Sequence, residues 1–156
     1  MPKSAVAISF EIFETIESLP ADLQMLALAA QDITHTAYAP YSNFKVGASV
    51  LLANKQVVSG SNQENSAYPS GLCAERVALF STAVQYPHQK IAAIAIAATK
   101  SYSFFLDCGP CGACREVMME YERKQQSPIA VLFQAAQGKY YLVASVKDLL
   151  PFNFVM

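Results

Sequence analysis

Eight consecutive apolar residues, Ile91 to Ala98, constrain the fold of this chain more than any other stretch of its sequence. The run has the length of a strand and is too short to cross a bilayer. A continuous apolar strand is typical of one that is covered on both faces. The segment before it has helical spacing, with Val77, Phe80 and Val84 on one face. Because strands alternate with helices, the sequence predicts an α/β protein, a three-layer α/β/α sandwich.

A mixed sheet of about five strands is expected, because Lys45–Leu52 and Gln56–Ser61 have the pattern of an antiparallel hairpin. Residues 4–13 alternate loosely between apolar and polar, which predicts a strand or an extended arm. Gly- and Ser-rich residues 60–72 and the residues around Cys108 are expected to be loops. The helices are expected to begin near Asp22, Cys73, Cys111 and Lys147, and the remaining strands to cover Ile91–Ala98, Ile129–Gln134 and Tyr140–Val143.

The length of 156 residues predicts one domain, which we place at residues 21–156, with residues 1–20 as an N-terminal extension. Hydrophobic residues make up 53% and charged residues 15%, which excludes disorder and predicts extra apolar surface for a symmetric oligomer.

The net charge of −1 argues against nucleic-acid polymers and anionic membranes as partners and favours a small neutral substrate. The N-terminus lacks the apolar core of a signal peptide, so we expect a cytoplasmic protein with reduced thiols.

Four cysteines lie at or near the predicted helix starts: Cys73, Cys108, Cys111 and Cys114. The C-x-x-C pair of Cys111 and Cys114 is typical of half a zinc site or of a redox pair. Cys73 lies 38 positions before Cys111, and Glu75 follows it at the same helix start. Three protein ligands leave the fourth position of zinc for water, which is the pattern of a catalytic site. A glutamate that is not a ligand, followed later by P-C-x-x-C, is the signature of base deaminases.

The cysteines alone leave other interpretations open. A structural Cys₄ zinc site would use Cys108 as well, and residues 108–114 also match part of an iron–sulfur run. In the catalytic interpretation Cys108 is a bystander, and His35 and His88 have no role. Three thiolates on Zn²⁺ carry a net negative charge, so Arg76 is expected as a hydrogen-bond donor to one of them, next to the metal ligands.

Three motifs stand in the order PYSNFKVGA at Pro40–Ala48, GSNQENSAYPSGLCAER at Gly60–Arg76 and PCGACR at Pro110–Arg115. Together they resemble the cytidine deaminases of the three-cysteine, homotetrameric type, and the likeness extends from about Ala21 to Phe154. The resemblance implies the cytidine deaminase-like fold and hydrolytic deamination of cytidine and 2′-deoxycytidine. The products are uridine and 2′-deoxyuridine plus ammonia, and the setting is pyrimidine salvage.

The resemblance also implies the residues of the metal centre. Cys73, Cys111 and Cys114 bind one zinc ion per subunit, and water or hydroxide is the fourth ligand. Glu75 takes a proton from that water, passes it to the ring N3 and later protonates the leaving amine.

The nucleoside-binding residues are likewise implied by the resemblance. Phe44 packs against the pyrimidine ring, and Asn62 and Glu64 hold the ribose hydroxyls. The backbone of Ala74 lies against the polar edge of the base. A nucleotide-specific enzyme would need a phosphate cradle, and the sequence has no Gly-rich or Arg-paired loop for one. The residues implied to reach a neighbouring subunit's site are Tyr68 and Phe154.

Overall fold

The computed structural model describes residues 1, 3–101 and 104–154. They form a mixed sheet with helices on both faces. The helices are α1 (Ala21–Ile33), α2 (Ala74–Gln85), α3 (Gly112–Gln125) and α4 (Val146–Leu149). The strands are β1 (Glu11–Phe13), β2 (Lys45–Leu52), β3 (Val57–Ser61), β4 (Ile91–Ser101), β5 (Phe104–Leu106), β6 (Ala130–Gln134) and β7 (Tyr140–Val143). Among the described residues, no helix combines the length and the apolar character that a membrane span requires.

The strands follow the order β1-β7-β6-β4-β2-β3, and β5 pairs with one end of β4. Only the β4–β6 pair is parallel among these pairs, so the predicted mixed sheet is confirmed. Within the described residues the sheet has seven strands rather than about five. The two additional strands are β1 and β5, of three residues each. β1 lies within residues 4–13, where the sequence predicts a strand or an extended arm, and β5 is too short for a clear period.

Strand β4 is covered on both faces, as the apolar run predicts. Ile94 and Ile96 belong to a core cluster with Ala78 and Leu79 of α2 and with Met118 of α3. The alternate residues of β4 pack against α1 on the other face of the sheet. They are Ala93, Ala95 and Ala97, in a cluster with Leu26, Ala27 and Ala30. The three-layer arrangement is therefore confirmed.

Two glycines let the helices approach the backbone of the sheet. A Cβ atom on Gly47 of β2 would lie 2.1 Å from the carbonyl oxygen of Ala30 in α1. A Cβ atom on Gly60 of β3 would lie 2.7 Å from the backbone nitrogen of Ala78 in α2. Any side chain at these positions would push the helices away. The second contact holds the first turns of α2 close to the end of β3, and this is where the candidate site lies.

Part of the N-terminal extension is a strand of the sheet. Ile12 of β1 pairs with Tyr141 of β7, and the ring of Phe10 packs 4.7 Å from the ring of Tyr141 between centroids. The strand expected over residues 4–13 is therefore present only at its C-terminal end, where residues 11–13 pair with residues 140–142 of β7.

Candidate active site

Three thiols meet where α2 and α3 begin. Cys73 and Cys111 are the N-cap residues of the two helices, and Cys114 lies in the first turn of α3. Their sulfur atoms all lie within 4.8 Å of one another, and the Cys73 and Cys111 sulfurs are 3.9 Å apart. Tetrahedral zinc with bonds of about 2.3 Å to sulfur separates two such sulfurs by about 3.8 Å. The arrangement of the thiols therefore fits a zinc ion.

The cluster already favours one thiolate. The pKa of Cys73 is lowered to about 5, because Cys114 and then Arg76 donate hydrogen bonds to its sulfur, although burial opposes the shift. The pKa of Cys114 is raised, because its proton is held in that hydrogen bond and its sulfur is buried. Metal ligation needs deprotonated thiols, so a cation would replace the remaining protons. The two helix N-termini contribute partial positive charge at the same place.

Arg76 lies against this cluster. Its Nη2 lies 3.7 Å from the sulfur of Cys73 and 3.4 Å from the carbonyl oxygen of Gly71. Its Nε is buried and has no hydrogen-bond partner within the described ranges. The guanidinium therefore faces the thiols and the segment before them, not the open solvent.

A second arginine fixes the loop that carries Cys111. Arg115 donates from Nε to the carbonyl oxygen of Pro110 at 2.8 Å and from Nη1 to that of Leu149 at 3.1 Å. The preceding Cys108 donates its backbone N–H to the carbonyl of Gln134 at 2.9 Å. Burial raises the pKa of the Cys108 thiol to about 12, so this thiol keeps its proton. Cys108 is not part of the group of three sulfurs found among the described residues.

Glu75 lies beside the thiols in the first turn of α2. Its side chain is 4% exposed, yet it lines the cavity described next. Burial raises the pKa of its carboxyl group, and the negative charge of Cys73 adds to the effect. A buried carboxyl group with a raised pKa next to a cluster of metal-ligating type can accept and return a proton.

A cavity of about 500 Å³ opens beside Glu75, which is within the range of small-molecule sites. Cys114 is fully buried behind the cavity wall, and the side chain of Ala74 is buried in the core. Phe154 lies elsewhere, where its carbonyl oxygen accepts a hydrogen bond from Arg123 at 2.6 Å. The residues singled out from the sequence that line the cavity are Phe44, Asn62, Glu64, Tyr68, Cys73, Glu75, Arg76, Cys108 and Cys111.

Residues 62–64 form one wall of the cavity. The backbone of Gln63 exchanges hydrogen bonds of 2.9 and 3.0 Å with Leu72, the residue before Cys73. On the other side, Tyr38 donates to Asn62 at 3.0 Å and accepts from Glu64 at 2.8 Å through the backbone. These short pairings place the segment at a fixed distance from the thiol cluster.

The side chains of this wall are held by the start of β2. Asn62 donates from Nδ2 to the carbonyl of Phe44 at 2.9 Å and accepts from the N–H of Val46 at 2.8 Å. Glu64 accepts from the N–H of Tyr41 at 2.9 Å and from the Ser42 hydroxyl at 2.5 Å. This hydroxyl lowers the pKa of Glu64. The sequence did not single out Ser42, although it lies inside the motif Pro40–Ala48, because its partner Glu64 is 22 residues away.

Residues 20–127 match the family model of the cytidine and deoxycytidylate deaminase zinc-binding region. A cytidine deaminase of Mycoplasma genitalium is 34% identical over 139 residues, which are 87% of this chain and 98% of that protein. A cytidine deaminase of Halalkalibacterium halodurans is 41% identical over 99 residues, covering 64% of this chain and 71% of that protein. The crystal structure of cytidine deaminase from Burkholderia pseudomallei has a TM-score of 0.72 at 39% identity, covering 83% of this chain and 97% of that one.

The mixed α/β sheet, the thiol cluster and the matched zinc-binding region define a hydrolytic deaminase. Within that class, the chain belongs to the cytidine and deoxycytidylate deaminase family. The resemblance noted in the sequence and the fold it implied are thereby confirmed.

Proposed function

We propose that the protein converts cytidine and 2′-deoxycytidine, with water, to uridine and 2′-deoxyuridine plus ammonia, in pyrimidine salvage. One observation carries the proposal: Glu75 and two of the three clustered cysteines, Cys73 and Cys111, line the same cavity as Phe44, Asn62 and Glu64. A cavity with metal-ligating thiols on one side and an aromatic ring with polar side chains on the other suits a flat base bearing a ribose. The names of the cytidine deaminase relatives agree with this choice.

Cys73, Cys111 and Cys114 would hold one zinc ion per subunit and leave the fourth position to water. Zinc in such a site supplies a Lewis acid that makes water a nucleophile near neutral pH. Arg76, with its guanidinium on the sulfur of Cys73, offsets part of the negative charge of three thiolates. The four cysteines are free thiols, as this site requires, and a reducing compartment such as the cytoplasm keeps them so.

Glu75 moves the protons of the reaction. Its buried carboxylate accepts a proton from water as the oxygen adds to C4 of the base, and delivers that proton to the ring N3. It then takes up the second proton and gives it to the amino group, which leaves as ammonia. The raised pKa of Glu75 supports this shuttle, because burial makes its carboxylate a better proton acceptor than an ordinary one.

The nucleoside side of the cavity orients the substrate. Phe44 packs on the pyrimidine ring, and the backbone of Ala74 meets the polar edge of the base. Asn62 and Glu64 take the ribose hydroxyls, because an amide and a carboxylate together can donate to a hydroxyl and accept from it. Among the described residues that line the cavity, Arg76 alone is cationic, and it faces Cys73. This favours a nucleoside over a nucleotide, whose phosphate would need its own cation.

We further propose a homotetramer in which Tyr68 and Phe154 reach a neighbouring subunit's site. Both aromatic side chains are exposed in the isolated chain, at 65% and 67%. Phe80 and Val84 add exposed apolar surface on α2. Burial of such surface stabilises an oligomer. Sedimentation velocity of the full chain tests this: a tetramer is expected, and a protein that stays monomeric at micromolar concentration contradicts it.

The reaction itself is tested on purified protein by following cytidine to uridine while zinc is measured on the same sample. The wild type is expected to hold about one zinc per chain and to lose turnover when a chelator removes it. Cys111→Ser, at an exposed thiol, should lose both zinc and turnover, and Cys108→Ser is the matched control that should lose neither. Zinc loss from the Cys108 variant would instead favour a structural site with four thiolates. Zinc-loaded wild type without turnover would contradict the proposed substrate.

A further inference from the structure

The backbone of Phe44 is held on both sides by side chains. Its N–H donates to the hydroxyl of Ser42 at 3.0 Å, and its carbonyl accepts from Nδ2 of Asn62 at 2.9 Å. Phe44 lies one residue before β2, so strand pairing does not fix it. Asn43, between Ser42 and Phe44, adopts a left-handed conformation with φ of 52°, which asparagine tolerates better than most residues. The turn places the hydroxyl of Ser42 under the backbone of Phe44.

The same hydroxyl binds the carboxylate of Glu64. Ser42 Oγ lies 2.5 Å from Oε1 of Glu64, and the backbone N–H groups of Tyr41 and Ser42 lie 2.9 and 3.3 Å from Oε2. A carboxylate only accepts and an N–H only donates, so the directions of the Ser42–Glu64 bond and of the Phe44–Ser42 bond are settled. Ser42 donates its one proton to Glu64 and accepts from Phe44. Ser42 thus connects the two residues that we assign to the ribose and to the base.

The hydrogen-bond capacity left on this wall matches one hydroxyl group. A carboxylate has about four lone-pair sites, and the described donors occupy three of those on Glu64. Asn62 uses one of its two amide protons on Phe44 and one lone pair of its oxygen on Val46. Glu64 can therefore accept a hydrogen bond from a ribose hydroxyl, and Asn62 can donate a hydrogen bond to it. This match depends on Ser42, because rotation of the Glu64 carboxylate would turn the remaining lone pair away.

We propose that Ser42 is a positioning residue for the nucleoside, which sets the Glu64 carboxylate for the ribose and the Phe44 backbone for the base. The inference rests on the proposed function, since it takes the nucleoside as the ligand of this cavity. Ser42 also lines the cavity, but its hydroxyl proton goes to Glu64 and its oxygen accepts from Phe44, so it acts through these two residues. Its removal is therefore expected to weaken substrate binding and to affect the chemical step much less.

The test compares Ser42→Ala with wild type on cytidine and on 2′,3′-dideoxycytidine, which lacks the 2′- and 3′-hydroxyls but keeps the 5′-hydroxyl. A hydrogen bond to a charged group is worth about tenfold or more in binding. For cytidine we expect kcat/KM to fall about thirtyfold, mostly through KM, with kcat within about threefold. For the dideoxynucleoside we expect a fall of only about threefold, since only the Phe44 contact is lost. Ser42→Thr, which keeps the hydroxyl, should show the same preference for cytidine as the wild type.

Ser18→Ala is the matched control. Ser18 is also exposed, accepts from the N–H of Thr15 at 3.3 Å and donates to its carbonyl at 2.7 Å, far along the chain from the cavity. It should change neither constant for either substrate. Glu64→Gln supplies a second measurement: adding Ser42→Ala to it should cost much less than in the wild type, because the carboxylate partner is already gone.

Equal losses of kcat/KM for the two substrates would overturn the proposal, since a general disturbance of the loop would act on both. Unchanged constants in Ser42→Ala would also overturn it. If that variant does not fold, Ser42→Cys keeps the side-chain volume with a much weaker donor, and the same ratio of substrates is measured on it. If wild type turns over cytidine but Ser42→Ala loses kcat/KM equally for the two substrates, only the inference about Ser42 is contradicted. Wild type without turnover of cytidine defeats the proposed function, and this inference with it.

Discussion

Glu75 and Glu122 are equally buried glutamates in one molecule, each with 4% of its surface exposed. Glu122 lies on α3, ten residues beyond its first residue Gly112 and so about 15 Å along the helix. Its carboxylate accepts from the N–H groups of Ile129 at 2.8 Å and Val146 at 2.9 Å, and from the Ser145 hydroxyl at 2.6 Å. Glu122 therefore joins α3 to the start of β6 and to the start of α4.

Glu75 has different surroundings. The groups that act on its carboxyl are its own backbone N–H, the thiol of Cys114 and the charges of Cys73 and Arg76. Burial raises the pKa of Glu75, so its charge is poorly compensated in the fold. Burial alone therefore does not distinguish a structural acid from the one that we propose moves protons. The surroundings of the two carboxyl groups differ. Glu122 accepts hydrogen bonds from three donors in the segments that it joins, whereas Glu75 lies between a thiol cluster and an open cavity.

The largest expected effect follows from Glu75→Gln. The amide keeps the shape but cannot accept and return a proton, so turnover of cytidine should fall by about 10²–10⁴-fold. The free energy of unfolding should not fall, because the neutral amide avoids the cost of burying the charge. Steady-state kinetics and thermal unfolding on samples of equal zinc content measure the two effects. Full activity of the variant would contradict the role of Glu75, and a large loss of stability would place it with Glu122.

The same substitution at Glu122 should give the opposite result. Glu122→Gln loses the charge that strengthens three hydrogen bonds, so the free energy of unfolding should fall by about 2 kcal/mol. For a chain of this size that lowers Tm by about 4–8 °C. Turnover per folded, zinc-loaded chain should stay within about twofold of wild type, because α3 carries Cys114 about 12 Å away along the helix. A variant that is as stable as wild type but inactive would reverse the comparison.

Much of the fold could be predicted because its elements are long and periodic. The apolar run of β4 and the hairpin of β2 and β3 are present where the pattern places them. Periodicity shows which residues share a face but not which face is covered. Val77, Phe80 and Val84 do share a face of α2, but Phe80 and Val84 are exposed, and Ala78 and Leu79 are buried instead. The backbone of Ala78 and the side chain of Val77 lie against Gly60 of β3, whose missing side chain allows the close contact.

The site could be predicted where the residue types themselves indicate a particular chemistry. Three cysteines and a glutamate at helix starts indicate a metal centre, and the structure brings the cysteine sulfurs together across 38 residues of chain. Ser42, Arg115 and Glu122 were not predicted, because common polar residues acquire their function only from a partner brought close by the fold. The hydroxyl of Ser42 meets a carboxylate 22 residues away, and no local pattern contains that pairing.

Ser145 is the side-chain partner of Glu122, and its removal should have a smaller effect than either glutamate substitution. Ser145 donates to Glu122, and its oxygen accepts the N–H of Lys147 at 3.3 Å as the N-cap of α4. Ser145→Ala removes both bonds but leaves two backbone donors on Glu122, so unfolding should become easier by about 1 kcal/mol. In the Glu122→Gln background the same change should cost less, because residues that share a hydrogen bond are not additive. Chemical denaturation of the four proteins measures this coupling. Strict additivity would mean that Ser145 acts through the cap alone and that two backbone donors suffice to hold Glu122.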